Sequence, residues 1–151
     1  MLGLDFLLNG ALFARMYQGE GGFMLAPSDA FQRIPIGYLA FLILAIGVVE
    51  LVYRLRVRRM ADGVRIGFLI GAVLAASWSL GLYSIATLSA VVALAFAGIW
   101  LALIVLASGV AAAGLSRSSL RGLALRVGAF DGACVVIVIS LQTFGLVPTI
   151  K

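Results

Sequence analysis

Two carboxylates stand inside otherwise uncharged apolar runs: Glu50 near the end of residues 34–53, and Asp131 near the start of residues 127–147. A charged group in hydrocarbon is costly, so an acid held there is a candidate for handling protons or cations along a pathway through a membrane. Glu50 has a simpler use. It precedes Arg54 by four residues, the spacing at which a helix brings acid and base together. Asp131 has no such neighbour, because the positions three and four away are Val127, Gly128, Cys134 and Val135. On this reading Asp131 falls in the first turn of its span, where the helix dipole favours a carboxylate. The functional alternative is a site completed by another helix, and the donors expected at its depth are Arg54 and Ser108.

Small residues form a second pattern. Gly67, Gly71, Ala75 and Ser79 recur every fourth position, and Gly128 and Gly132, with Ala129 and Ala133 beside them, repeat the motif later. Helices in lipid associate through close backbone approach, so both faces are expected to pack helices, within the chain or between subunits. Trp78 and Trp100 each lie eleven residues from Ser89, the expected tip of a hairpin. That puts both about 16 Å below the tip, away from the interface that tryptophan prefers. There they either fill the bundle or face lipid, or they stack on a flat apolar ligand. Ser77, Ser79, Tyr83, Ser84, Thr87 and Ser89 make a polar stretch that is either a vestibule or a run of hydroxyls bonded to their own backbone.

Other chemistries lack their residues. The chain has no histidine and one cysteine, Cys134. The commonest metal ligand and the usual neutral-pH base are therefore missing. No nucleophile–base pair or ligand cluster can be assembled, so neither a cofactor nor an enzymatic activity is expected.

The elements that position these residues follow from composition. Of 151 residues 64% are hydrophobic and 11% charged, with a mean hydropathy of +1.19. A soluble domain carries roughly a quarter charged residues. Lipid must be the solvent for most of this surface. Residues 34–53, 66–88, 90–115 and 127–147 are each long and apolar enough to span a bilayer, which predicts an all-α transmembrane bundle of four helices over residues 34–151. Residues 1–33 form a separate extracytoplasmic segment, in which 1–17 reads as a short interfacial or re-entrant helix and Gly19-Glu20-Gly21-Gly22 as a break. Ser28 or Asp29 then caps a short surface helix, with Pro35 starting the first span and Pro148 stopping the last.

Eight of the eleven basic residues lie in the connections 54–65 and 116–126. Positive loops stay in the cytoplasm, so both connections are expected there, in a plasma (inner) membrane, with both termini outside. Arg54, Arg56, Arg58 and Arg59 would then meet anionic lipid of the inner leaflet. No stacking aromatics interleave this run, which argues against nucleic acid.

The stretch Leu4-Asp5-Phe6-Leu7-Leu8-Asn9-Gly10 resembles the outer end of the first helix in small, uncharacterised bacterial four-span membrane proteins. Residues 71–115, with Trp78, Tyr83 and an uncharged hairpin, are similar to their later pair. The chain departs from that pattern in two places, since the inner half of a first helix is missing and the span after Arg126 is additional, and the resemblance implies a start inside a longer reading frame. It implies no activity. The function expected is that of a non-catalytic membrane protein acting by helix packing, as a homo-oligomer or an accessory subunit of a larger complex. A small oligomeric transporter or channel with Asp131 or Glu50 in its pathway is the alternative.

Overall fold

The computed structural model describes residues 1–13, 15, 27–85, 89–116 and 121–147. The glycine break at 19–22, Thr87 and Pro148 lie outside the described residues, as do the side chains of Ser28 and Asp29.

Among the described residues every regular element is helical. Helix α1 is Leu2–Leu7, continued by a π-helical turn at Leu8–Leu12; α2 is Pro27–Arg54, α3 Met60–Ile85, α4 Ala90–Leu115 and α5 Arg121–Thr143. Many of these residues are glycine or β-branched and would favour other conformations in water. Hydrocarbon overrides that preference, because a helix satisfies every backbone group within its own segment. Helices α2 to α5 are each long and apolar enough to cross a membrane. The chain is a multi-pass, all-α membrane protein.

Three boundaries differ from the sequence reading. The expected surface helix and first span are one element, with Pro27 at its start and Pro35 inside it. Helix α3 starts at Met60 rather than residue 66, with Asp62 in its first turn where the helix dipole favours an acid. Helix α5 covers Arg121–Thr143 rather than 127–147. Hydropathy alone starts a span after the last arginine. The helices reach further back because long basic side chains keep their charge in water while their stems lie along apolar surface.

Helix α2 ends in a backbone motif. Arg56 adopts φ 54°, the left-handed region. The Arg56 N–H donates to Tyr53 O at 3.0 Å and the Val57 N–H to Val52 O at 3.1 Å, which closes the helix as a Schellman turn. Its apolar contact is present as well, since Val52 and Val57 are buried in one cluster with Val48 and Ala112. Helix α5 stops the same way at Gly145, φ 68°, with Gly145 N–H donating to Gln142 O and Leu146 N–H to Leu141 O. The stop is thus Gly145, three residues before the expected Pro148.

Packing centres on the antiparallel pair α3–α4, whose contact dominates the molecule, with α2 laid on α4. Ser89 caps α4, accepting from the Val92 N–H at 3.3 Å. Arg58 donates to Leu115 O, which ties the first basic connection to the end of α4, the end from which the chain leads on to Arg121 at the start of α5. The N-terminal helix lies along a span rather than flat beside the bundle. Gly3 meets Asp131, Gly10 meets Val138 and Arg15 reaches Leu146, so α1 and its π turn run parallel to α5.

Candidate functional site

The boundary of α5 changes the meaning of Asp131. It is the eleventh residue of its helix, about 15 Å along the axis from Arg121. The first-turn dipole explanation expected from the sequence therefore fails, since that effect fades within one turn. The carboxylate needs a partner, and neither Arg54 nor Ser108 supplies it. Arg54 Nε donates instead to Glu50 Oε1 at 2.6 Å. Ser108 is 3% exposed, beneath Gly63 and Gly67. The donor is the backbone N–H of Gly3, 3.2 Å from Asp131 Oδ1, with the α-amino nitrogen of Met1 at 3.9 Å from the same oxygen.

Two glycines, Gly3 on α1 and Gly10 in the π turn that continues it, make that approach feasible. A Cβ on Gly3 would lie 2.5 Å from Asp131 Cα, and one on Gly10 3.3 Å from Val138 Cγ1. Polar contacts extend the seam outward: Gln142 Nε2 donates to Gly10 O at 3.4 Å and Arg15 Nη2 to Leu146 O at 2.9 Å. Asn9 Nδ2 donates to Asp5 Oδ1 at 2.7 Å on the same short helix. The π turn at Leu8–Leu12 contains Gly10, the glycine that faces Val138. Sequence reasoning missed Gly3 and Gly10. Their signal was the seven-residue spacing, two helical turns, which sets both on one face.

Asp131 is about one-third exposed and lines a cavity of about 440 Å³ between α2 and α4 on one side and α5 and α1 on the other. Its walls are apolar, formed by residues such as Leu4, Val49, Leu106, Val110 and Phe130. Arg126, the other charged side chain on the lining, lies five residues nearer the start of α5 and is exposed.

The remaining residues singled out from sequence divide sharply. Gly67 and Gly71 sit against α4, with a Cβ on Gly67 falling 2.8 Å from Ser108 Oγ and one on Gly71 3.1 Å from Leu101 Cδ1. Gly63, one step earlier in the same stripe, is closer still at 2.6 Å from Ser108 O. Ala75 and Ser79 are buried on this face, and Ser79 Oγ has no hydrogen-bond partner among the described residues. Gly128 and Gly132 pack on no described part of the chain: among the described residues nothing lies within 4 Å of where their Cβ atoms would stand. The side of α5 that packs inward is instead the Asp131–Cys134–Val138 stripe. Trp78 is 61% exposed, whereas Trp100 stacks on Phe41 with ring centroids 6.1 Å apart, so the two tryptophans do not form a sandwich. Of the polar run on α3, Ser84 Oγ donates to Gly81 O on its own helix. Glu50 is more than half exposed in its pair with Arg54 and does not line the Asp131 cavity. Tyr53, Arg54, Arg56 and Arg58 line a separate basic hollow.

No family model, curated protein or solved structure matches the chain. Among the described residues no three His, Cys, Asp or Glu side chains come together, and Cys134 is buried. A carboxylate in an apolar cavity can hold a cation or a hydrogen-bond donor, and outward-facing small residues can admit another helix.

Proposed function

We propose that the chain is a non-catalytic membrane protein that acts by helix packing, as a homo-oligomer or an accessory subunit of a larger complex. One observation carries this reading. Gly128 and Gly132 have open space at each Cβ position among the described residues, flanked by exposed Ala129 and Ala133. Glycine inside a helix is destabilising by about 1 kcal/mol relative to alanine, which close approach of a second backbone can offset. Within the chain α5 receives little such contact, since only 11% of its most apolar window is buried. The small-residue face suits another subunit. The basic connections fit a cytoplasmic inner-leaflet placement, with Arg54, Arg56 and Arg58 around a hollow able to take an anionic headgroup.

The experiment is purification from native membranes with and without Gly128→Leu. The expected result is a defined complex, seen by mass spectrometry of all co-purifying chains, that the variant disperses. A monomer unchanged by the substitution would contradict the reading. The transporter alternative keeps support from Asp131 alone, because Glu50 is paired and exposed outside the cavity. It predicts cation or proton flux in liposomes that Asp131→Asn abolishes.

A further inference from the structure

Three arginines, one tyrosine and no acid line the hollow at the end of α2, whose volume is about 410 Å³. Two of the arginines are anchored. Arg54 Nε donates to Glu50 Oε1 at 2.6 Å, and Arg58 Nη1 donates to Leu115 O. A guanidinium has five N–H donors, so each keeps most of them for another acceptor. Arg56 has no side-chain partner among the described residues. It also stands at the left-handed position that closes α2, φ 54°, which glycine would fill without steric cost. The backbone thus favours a different residue there, and the side chain needs its own reason. Glu50 offsets the charge of Arg54, while Arg56 and Arg58 leave the hollow net cationic. It opens where the apolar span Pro35–Arg54 ends. Along that span, on the same helix face as Tyr53, run Val49, Ile46 and Leu42, all of them exposed.

We infer that this hollow binds the phosphate of one anionic phospholipid, held by Arg56 and Arg58 with the free Nη groups of Arg54, while an acyl chain lies along Tyr53, Val49, Ile46 and Leu42. The planar fork of arginine meets phosphate oxygens two at a time, and such charge-assisted bonds are roughly twice as strong as neutral ones. Charge selects among lipids. A choline headgroup brings its own cation toward the arginines, whereas a headgroup of net negative charge does not. The apolar stripe sets the hollow at the depth where lipid phosphates stand, so the occupant is a lipid and not free phosphate. The inference rests on the inner-leaflet placement proposed for this connection. It does not depend on oligomerisation, because every lining residue comes from one copy.

The test is native mass spectrometry of the full chain in non-ionic detergent, titrated with phosphatidylglycerol, with phosphatidylcholine and inorganic phosphate as comparisons. One phosphatidylglycerol per chain is expected to bind about tenfold more tightly than phosphatidylcholine, and millimolar inorganic phosphate should not displace it. Arg56→Gln should lower that affinity about fivefold to tenfold. Arg59→Gln, exposed beside the hollow but outside its lining, should change it little. Arg56→Gly separates binding from folding, because it relieves the left-handed backbone. It should weaken lipid binding as much as the glutamine variant while the lipid-free protein is no less stable than wild type. Four results would overturn the inference. Equal affinity for the two lipids would remove the charge selection, and Arg56 variants that bind like wild type would remove the site. Equal losses from the changes at 56 and 59 would mean diffuse attraction to a basic surface. Displacement by inorganic phosphate would assign the hollow to a free anion. The same spectra count the chains in each particle, so a monomer that binds the lipid would contradict the proposed assembly and support this inference.

Discussion

The α3–α4 hairpin and helix α5 carry the same motif, glycines four residues apart, and put it to opposite uses. On α3 the glycines at 63, 67 and 71 touch α4 so closely that a Cβ at any of them would meet atoms within 3.1 Å. On α5 those at 128 and 132 touch nothing among the described residues. Spacing on a helix therefore shows where a backbone can be approached, not by what. The partner is set by chain connection. A short link folds α4 back onto α3, whereas α5 is held chiefly by α1, from the far end of the sequence.

The hairpin should be the less forgiving region. Gly63→Leu would press side-chain atoms against the Ser108 carbonyl and the Gly109 Cα, which are backbone and cannot turn aside. Overpacking typically destabilises by about 1–3 kcal/mol, and this site should lie at or above the top of that range. Thermal unfolding in detergent measures it. A melting temperature equal to wild type would dissolve the contrast between the two regions.

At the other seam, Gly3→Ala puts a Cβ 2.5 Å from Asp131 Cα and displaces the Gly3 N–H from the carboxylate. The expected loss is smaller, about 1–2 kcal/mol, and local, because α1 can lift from α5 while α2, α3 and α4 stay packed. Hydrogen exchange should show faster exchange over residues 3–12 with the hairpin unchanged. Simultaneous loosening of α3 and α4 would mean that α1 supports the whole bundle.

The smallest effect concerns the turn after α2. Arg56 occupies the left-handed region at φ 54°, where glycine carries no steric penalty. Arg56→Gly is expected to raise stability by up to about 1 kcal/mol, measured by the same thermal unfolding. A decrease would show that the Arg56 side chain matters more than its backbone strain.

The legible part of this fold was what hydrocarbon enforces. Four apolar runs of sufficient length form helices, and Glu50 and Arg54 at i, i+4 pair as their spacing implies. The ends were less legible, because hydropathy cannot see a helix continuing through arginines or stopping at a left-handed Gly145. That shift moved Asp131 from a first turn to mid-helix and so changed its chemistry. Its partner was hidden for a different reason. A contact between Gly3 and Asp131 spans 128 residues, and neither residue's neighbours in sequence point to the other.

The central claim is that α5 presents its glycine face to another polypeptide. Cysteine cross-linking in native membranes tests it most directly, with Gly132→Cys placed in a Cys134→Ala background and Gly71→Cys as the comparison buried within the hairpin. The account predicts that the cysteine at 132 joins a second chain, seen as a larger species on a denaturing gel after treatment with a short bis-maleimide, while the cysteine at 71 does not. Complete reaction of position 132 with a lipid-soluble maleimide, with no cross-linked product at any reagent length, would show that the face meets lipid and would contradict the account.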